Sequence, residues 1–348
     1  MLDVVCIDPI TDQRWHTLVE QGASSVFHSP AWLRVIRDTY GFEVNAYLAV
    51  DATGAPQAGI PFCRLTDWRG TRLVSLPFCD YCDPLAADAE TWQLLADRLS
   101  AEEATVVLRC LHNDAPLHDE RFHQIKRAHW HGIDLSRDLD TIWQGLASGA
   151  RRAINKAQRD GITVRYVRDR ESLRAFFDMH LGIRKYKYRL VAQPYLFFEH
   201  IWRQFIEPGD GVLQIAEYDG KIIGGILYLR WKDTWFYKFN ASNPDNLAHR
   251  PNDLMLWEGI QYAKAQGCTR WDFGLSDWDQ EGLIRYKRKY ATEEKTICFL
   301  ESKFQSAPQP GADRMKQLLP RLTDLFTDAS VPDAITERAG ELLYGFFA

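Results

Sequence analysis

Residues 214–231 have the sequence QIAEYDGKIIGGILYLRW, and this stretch decides the fold. Two largely apolar runs flank Asp219-Gly220, a dipeptide typical of a tight turn between antiparallel strands. A similar pattern occurs earlier, where residues 47–54 end in Thr53-Gly54 and lead into residues 59–65. With a one-residue gap, the two stretches align as strand, glycine turn, glycine and strand. An internal repeat of this kind predicts two related domains rather than one sheet.

The segments around the two copies also correspond. Helix-like segments precede them at residues 30–40 and 194–206, and extended segments follow them at residues 72–76 and 234–239. Further on, Asn252 is a good helix N-cap and Gly267 a good helix stop. The later segments are a strand at 269–274, a basic amphipathic stretch at 283–290 and a strand at 296–300. We predict an α/β protein with mixed sheets and domains at 1–138 and 139–305, a basic linking helix at 139–161, and a helical tail at 306–348.

Composition excludes several classes of protein. With 348 residues, 46% hydrophobic and 26% charged, the chain is long enough for two globular domains and too apolar for disorder. No apolar run approaches the ~20 residues of a membrane span, and Met1-Leu2-Asp3 lacks a basic signal region. We expect a cytoplasmic protein with at most peripheral membrane contact. Among seven cysteines only Cys79 and Cys82 form a C-x-x-C pair, so we predict reduced structural thiols.

The net charge of −5 argues against a DNA-binding protein, but it conceals a basic segment. Residues 151–190 contain 12 Lys and Arg against 4 Asp and Glu, a local charge of +8. Arg152 and Lys156 share a predicted helix face with Arg159, and Arg184 begins a run in which bases alternate with aromatics. Two interpretations stay open: a solvated basic surface, or a surface for a polyanion such as a diphosphate-linked sugar, a CoA tail or a tRNA end.

Several motifs together resemble the FemAB-like acyltransferases. They are FHSPAW at 27–32, RRAINKA at 151–157, NDLMLWE at 252–258, WDFGLS at 271–276 and GLIRYKRKY at 282–290. They span about residues 25 to 300 in the order that the family has them. The resemblance implies two tandem GNAT (Gcn5-related N-acetyltransferase) folds, in agreement with the internal repeat. It also implies an activity, since some relatives transfer amino acids from aminoacyl-tRNA to peptidoglycan precursors and others are thought to acylate sugars or amines.

We therefore expect an N-acyltransferase that moves an acyl or aminoacyl group to an amine of a cell-envelope or polysaccharide precursor. The donor would be an aminoacyl-tRNA or an acyl-CoA, and the acceptor a phosphate-bearing small molecule. We expect no metal and no tightly bound cofactor. Two alternatives stay open: an acyl-CoA-dependent acetyltransferase of a sugar or small amine, and a non-catalytic binding module on the same scaffold.

Acyl transfer to an amine passes through a tetrahedral oxyanion, so the site needs a cation or donor for that oxygen and a proton acceptor. Lys287 occupies the position of the lysine in a Phe-Lys motif of the resembling enzymes, and is our candidate oxyanion or phosphate clamp. The alternative is one more solvated lysine in a charged run. Asp272 is a candidate base or a cap for the turn at Gly274, with Asp277 and Asp279 as weaker candidates. Tyr237 is a candidate proton donor, or a core tyrosine.

The candidate residues for binding substrate or donor form a second set. They are Arg152, Lys156, Arg184, Arg250, Asn252, Trp257 and Tyr286. Donor identity stays open, because residues 249–253 lack the glycines of a CoA pyrophosphate loop and Pro251 has no amide hydrogen. The chain also lacks the long charged hairpin that some tRNA-dependent relatives insert. His129 and His131 would lie on one face of a strand, but no third metal ligand is evident nearby.

Overall fold

The structure, a computed structural model, describes residues 2–348 and divides into two compact units. Unit 1 contains the chain up to Ala128, Thr296–Pro320 and Ala348. Unit 2 contains His129–Lys295 and Arg321–Phe347. The division differs from the predicted domain ranges, because the N-terminal domain ends ten residues earlier and gains a segment from the C-terminal part of the sequence.

Unit 1 is built on six strands in the order β1-β2-β3-β4-β5-β12. The strands are β1 (Asp3–Ile7), β2 (Glu43–Val50), β3 (Pro56–Asp67), β4 (Gly70–Val74), β5 (Thr105–Cys110) and β12 (Glu293–Ser302), the last of which begins in unit 2. The helices are α1 (Gln13–Gln21), α2 (Pro30–Tyr40) and α3 (Ala89–Ser100). The core packs Trp92 and Leu95 of α3 against Tyr47, Ile60 and Leu108 of the sheet.

Unit 2 has six strands in the order β6-β11-β10-β9-β8-β7. The strands are β6 (Phe122–Asp134), which begins in unit 1, β7 (Thr163–Val167), β8 (Gly211–Tyr218), β9 (Lys221–Trp231), β10 (Thr234–Ser242) and β11 (Arg270–Asp277). The helices are α4 (Leu139–Gly145), α5 (Ser148–Arg159), α6 (Arg170–Gly182), α7 (Tyr195–Ile201), α8 (Pro251–Ala265), α9 (Glu281–Lys287) and, at the C-terminus, α10 (Ala312–Phe326) and α11 (Asp333–Leu343). Helix α10 crosses the boundary between the units at Pro320.

The two units repeat one topology, which confirms the predicted tandem α/β fold. In unit 1, β1 to β4 pair antiparallel in succession and β5 joins β4 in parallel. In unit 2, β7 to β10 pair antiparallel in succession and β11 joins β10 in parallel. Two helices follow the first strand of each series, and one helix precedes the parallel strand. A parallel neighbour requires such a crossover, and here α3 and α8 provide it.

The hairpin that decides the fold forms as predicted. Asp219 and Gly220 lie between β8 and β9 with φ of +49° and +71°. Two consecutive residues with positive φ are characteristic of the turn whose twist matches paired antiparallel strands. This turn fixes the register that buries Ile215 and Ile226.

The predicted basic helix over 139–161 is two helices. Leu146, between α4 and α5, has extended backbone (φ −62°, ψ 141°), and the amide of Ala147 donates to the carbonyl of Lys289 at 3.0 Å. Helix α5 buries an apolar stripe formed by Ala150, Ile154 and Ala157. Gly161 follows the helix with φ of +83°, as expected for a helix stop.

The start of α8 also differs from the prediction. Asn252 lies inside the helix, and Arg250 occupies the N-cap position with left-handed backbone (φ 62°, ψ 39°). Pro251 takes the first helical position, where its fixed φ and missing amide hydrogen are tolerated. Gly267 follows the last turn with φ of +80°, as predicted. The basic stretch at 283–290 and the strand at 296–300 form α9 and β12.

Candidate functional site

Strands β10 and β11 pair over a short length. Their register joins Thr234–Phe236 to Arg270–Asp272 and stops there, although β10 continues to Ser242 and β11 to Asp277. The register of β10 on β9 then shifts, because Tyr237 lies opposite Tyr228 while Phe239 lies opposite Leu227. Lys238 is the extra residue of a β-bulge, which bends the strand. The carboxyl ends of two parallel neighbours therefore separate, and such ends are where α/β sheets commonly hold ligands.

Asp272 and Gly274 shape β11 where this separation begins. Asp272 is buried, and its Oδ1 accepts a hydrogen bond from the amide of Gly274 at 2.6 Å. Gly274 has φ of +64°, a backbone conformation that is unfavourable for residues with a side chain. Two roles were predicted for Asp272, a base and a cap for the turn at Gly274. The structure shows the hydrogen bond that the cap requires.

Lys287 closes the same turn from α9. Its side chain is 3% exposed, and Nζ donates to the carbonyl oxygens of Phe273, Gly274 and Leu275 at 2.7, 3.2 and 3.0 Å. Consecutive carbonyls of a regular strand point in alternate directions, so the left-handed Gly274 is what allows three in succession to face one ammonium. Lys287 is therefore not the solvated lysine that its charged surroundings would indicate. Its predicted role as a clamp stays a prediction.

The three predicted catalytic residues converge on Phe273. The Tyr237 ring packs on Phe273 with a centroid distance of 5.7 Å, while Lys287 holds the Phe273 carbonyl and Asp272 precedes it in the chain. Burial, followed by the charge of Asp253, raises the pKa of Tyr237. The phenol therefore stays protonated at neutral pH, as a proton donor must.

A buried acid lies beside this group, and it is the functional candidate that the sequence did not single out. The Asp253 carboxylate in the first turn of α8 is 5% exposed and accepts a hydrogen bond from the Tyr290 hydroxyl at 2.5 Å. Burial raises the pKa of Asp253, and it also raises that of the buried Tyr286 hydroxyl. The sequence placed Asp253 only as a negative charge near a phosphate. Asp253 lies four residues before Trp257, so both lie on the same face of α8. This spacing could have indicated from the sequence that Asp253 is buried.

The predicted binding residues on α8 have different surroundings. Arg250 is exposed, and its side chain makes no hydrogen bond or ion pair with another side chain of residues 2–348. Asn252 is committed to the fold, because its Oδ1 accepts from Ser242 at 2.5 Å and from Asn240 at 3.2 Å. Trp257 is a core residue, 8% exposed, whose ring packs on that of Trp143 at 4.8 Å.

The predicted basic residues do not form one group. Arg152 on α5 is exposed and makes no ion pair in the described chain. Lys156 pairs with Asp160, which also accepts from His249 Nδ1 at 2.8 Å. Arg184 lies after α6, where its Nε and a terminal nitrogen donate to the Val191 carbonyl at 3.2 and 3.1 Å.

The two histidines lie on one face of β6, as predicted, with their rings 6.0 Å apart. His129 Nδ1 pairs with Glu294 at 2.8 Å. His131 is fully buried, and burial followed by the charge of Lys287 lowers its pKa to about 4, so it is neutral at pH 7. Within residues 2–348, no group of three or more His, Cys, Asp or Glu side chains is arranged to hold a metal ion.

No helix among residues 2–348 has the length and apolar character needed to cross a bilayer. In unit 1, Cys79 and Cys82 are both buried, and burial raises the pKa of the Cys82 thiol far above its usual range. A buried thiol of this kind is inert, in agreement with the structural role predicted for the pair.

The chain is similar to known proteins in sequence and in fold. The family model of the acetyltransferase (GNAT) domain matches residues 146–288, which include α5 to α9 and the diverging strands. A lipid II:glycine glycyltransferase of Staphylococcus epidermidis is 31% identical over 86 residues, which are 23% of this chain and 21% of that protein. The chain thus spans about a fifth of the length of the curated relatives it matches.

Two solved structures share the fold. FemX superposes with a TM-score of 0.67 at 15% identity, covering 91% of this chain and 100% of FemX. A tandem GNAT protein from the clavulanic acid biosynthesis pathway superposes with a TM-score of 0.55 at 10% identity, covering 89% of this chain and 100% of that protein. The chain therefore has the tandem GNAT fold, and the predicted resemblance to the FemAB-like acyltransferases is confirmed.

Proposed function

We propose that this FemAB-like protein is an N-acyltransferase that moves an acyl or aminoacyl group from an activated donor to an amine of a cell-envelope or polysaccharide precursor. The observation that supports it best is the separation of β10 and β11 beyond Phe236 and Asp272, inside the segment that matches the GNAT domain. Tyr237 lies at this separation and is partly exposed, and its hydroxyl makes no hydrogen bond within the described residues. A protonated phenol next to a gap between strands is suited to donate a proton there.

The proposed reaction has two proton transfers. Attack of the acceptor nitrogen on the donor carbonyl forms a C–N bond and breaks the C–O bond of an ester or the C–S bond of a thioester. The nitrogen loses one proton, which we assign to Asp253, because a buried carboxylate with a raised pKa is a better base than an exposed one. The leaving oxygen or sulfur gains one proton, which we assign to Tyr237. Asp272 is the alternative base, although its bond to Gly274 favours a role in positioning β11.

Lys287 contributes positive charge near the same place. Its ammonium binds three β11 carbonyls and lowers the pKa of His131, so its field acts on the surrounding groups although the ammonium is buried. We propose that this charge stabilises the oxyanion through space, with the turn at Gly274 holding it in place.

The donor is the finer part of the proposal. An acyl-CoA donor is favoured by the match to the acetyltransferase domain, and it would make the protein an acetyltransferase of a sugar or small amine. Against it, Pro251 offers no amide and Asn252 is occupied by β10, so the α8 N-terminus is poorly equipped for a pyrophosphate. An aminoacyl-tRNA donor is the alternative, with Arg152 and Arg250 available for its phosphates.

A transfer assay tests the proposal. Acetyl-CoA, longer acyl-CoAs and aminoacyl-tRNAs would be offered as donors with amine-bearing nucleotide-linked precursors, after a thermal-shift screen for ligands that stabilise the fold. Tyr237→Phe should lower kcat by about a hundredfold, the usual contribution of a positioned proton donor, without changing stability. Tyr262→Phe is the matched control, since this tyrosine stacks on Tyr166 at 4.2 Å within the core of unit 2. Ligand binding with no transfer from any donor would instead favour a non-catalytic binding module.

A further inference from the structure

The connection between α6 and α7 lies close to the proposed site. It begins with a π-helical turn, Ile183–Lys187, and is closed on itself, because the Leu190 amide donates to the Arg184 carbonyl at 2.9 Å. Both flanking helices pack on β10, where the Phe239 ring lies 5.8 Å from His180 and 5.1 Å from Phe198. We call residues 184–192 the α6–α7 loop.

This loop lies at the same part of β10 as the candidate proton donor. Its two flanking helices contact Phe239, which is two residues beyond Tyr237 on β10. The loop that joins these helices is therefore placed to border the site at Tyr237. In agreement with this placement, Tyr188 at the exposed tip of the loop contributes, after burial and Asp253, to raising the pKa of Tyr237.

The C-terminal segment, residues 327–343, holds this loop through one buried cation. The Lys185 side chain is fully buried, and Nζ donates to the Val331 carbonyl and, at 2.8 Å, to Asp333 Oδ1. The Tyr186 hydroxyl donates to the same Asp333 oxygen at 2.7 Å. Hydrogen bonds to a charged group are about twice as strong as neutral ones, so Asp333 fixes two successive loop residues.

Further contacts extend the attachment along the segment. Arg189 donates to the Thr327 carbonyl at 2.8 Å and lies 3.8 Å from Asp328. The backbone of α11 approaches the loop closely at Gly340, where a Cβ atom would clash with the Ala192 carbonyl oxygen. The loop is thus held at its start, its tip and its end.

Arg174 on α6 ties the same segment to the helix before the loop, in a bidentate pair with Glu337 at 2.8 and 2.7 Å. The C-terminal segment contacts the loop and its supporting helix, and neither Asp333 nor Gly340 belongs to the candidate site. Its effect on catalysis must therefore pass through the loop.

We propose that the C-terminal segment is a positioning element, which fixes the α6–α7 loop beside Tyr237 and so determines affinity for the acceptor. Asp333 and Gly340 are its positioning residues. The kinetic part of this inference rests on the proposed acyl transfer, whereas the attachment of the loop does not.

Limited trypsin digestion of the full chain tests the attachment. Lys187 and Arg189 lie in the exposed part of the loop, so cleavage after them reports its opening. Asp333→Ala removes the acceptor of Lys185 and Tyr186, and Gly340→Ala forces α11 away from Ala192. Each should raise the cleavage rate at these sites by about tenfold or more. Arg338→Ala is the control, since this exposed residue of α11 pairs with Glu341 of the same helix and should leave the rate unchanged.

Steady-state transfer kinetics test the consequence. Asp333→Ala and Gly340→Ala should raise the KM for the amine acceptor several-fold, with the KM for the donor nearly unchanged. Cleavage rates equal to those of the native protein would overturn the attachment. Increased cleavage with an unchanged acceptor KM would overturn the positioning role. Absence of transfer by the native protein would contradict the proposed function, while the digestion would still decide whether the segment holds the loop.

Discussion

At the residue scale, the candidate site depends on burial of charged side chains. Lys287 and Asp253 would be solvated on most surfaces, yet they are 3% and 5% exposed. The penalty of burial is offset differently in the two cases. Lys287 binds three carbonyl oxygens, whereas Asp253 binds one hydroxyl and has its pKa raised by burial. Burial of Asp253 therefore favours its protonated form.

The titration of Asp253 gives a prediction about stability. Asp253 binds its proton more tightly in the folded state than in the unfolded chain, where the pKa of an aspartate is about 3.9. The contribution to folding is thus complete below the unfolded pKa and is lost as pH rises through the folded pKa. Asp253→Asn stays neutral and keeps an oxygen for Tyr290. We expect its stability relative to the native protein to increase as pH rises above the unfolded value, until the folded carboxyl is ionised.

Chemical denaturation at a series of pH values measures this difference. Asp245→Asn is the control, because Asp245 is an exposed carboxyl shortly before α8. A pH profile for Asp253→Asn no steeper than that of Asp245→Asn would show that the Asp253 carboxyl is not held in a protonation-sensitive environment.

Much of the site at this scale could have been found in the sequence. Ile284, Lys287 and Tyr290 recur at three-residue intervals, and all three are buried. This spacing puts Lys287 on the apolar side of the segment. The groups that accept hydrogen bonds from its ammonium depend on the tertiary structure. Its acceptors are backbone carbonyls, which every residue has, so no residue type in the sequence marks them.

At the element scale, local signals were sufficient where turns and caps decide the structure. Asp219-Gly220 predicted the β8–β9 hairpin, and Gly161 and Gly267 predicted two helix ends. Signals failed where distant contacts decide. The break at Leu146 depends on a hydrogen bond to Lys289, and the start of α8 depends on β10 residues that occupy Asn252. The parallel pairing of β10 with β11, and its early end, leave no periodic signature.

The turn in β11 gives a prediction for this scale. Gly274→Ala places a side chain at φ of +64° and should cost about 1–2 kcal/mol through backbone strain. It should also rotate the carbonyls that bind Lys287, so turnover should fall with stability. Gly282→Ala is a matched change in α9, where no atom lies within 4 Å of the added Cβ and helix propensity should increase stability by up to about 1 kcal/mol.

Thermal denaturation and turnover of the two variants distinguish these effects. We expect Gly274→Ala to be less stable than the native protein and Gly282→Ala to be more stable. If Gly274→Ala were as stable and active as the native protein, the left-handed turn would not be what holds the Lys287 carbonyls together.

At the scale of the whole molecule, the basic segment is largely neutralised. Residues 151–190 have a local charge of +8, which alone is compatible with a solvated basic surface and with a surface for a polyanion. Carboxylates from outside the segment pair with many of its bases; Arg165, Arg170, Arg174, Lys185 and Arg189 pair with Glu217, Glu207, Glu337, Asp333 and Asp328. Counting charges along a chain could not detect this, because the acids lie up to 163 residues away.

The neutralisation predicts which bases can bind a polyanionic donor. Arg152 is exposed without a carboxylate partner in the described residues, whereas Lys156 is already paired with Asp160. Arg152→Ala should therefore weaken binding of coenzyme A or deacylated tRNA several-fold. Lys156→Ala should weaken it less, because the Lys156 ammonium is already engaged by Asp160. Arg165→Ala is the control, because this exposed arginine is paired with Glu217, so its loss should weaken binding no more than Lys156→Ala does.

Titration calorimetry at several salt concentrations measures the difference. For a nucleic-acid donor, each phosphate contact contributes about 0.7–0.9 to the slope of log affinity against log salt, so loss of Arg152 should reduce the slope by about one. A slope near ten, as twelve unpaired bases would give, would mean that the ion pairs open when the donor binds. Equal losses for Arg152→Ala and Lys156→Ala would likewise show that Asp160 does not withhold Lys156 from the ligand. For the native protein we expect a slope well below ten, because most bases of residues 151–190 are paired with carboxylates and few remain to bind phosphates.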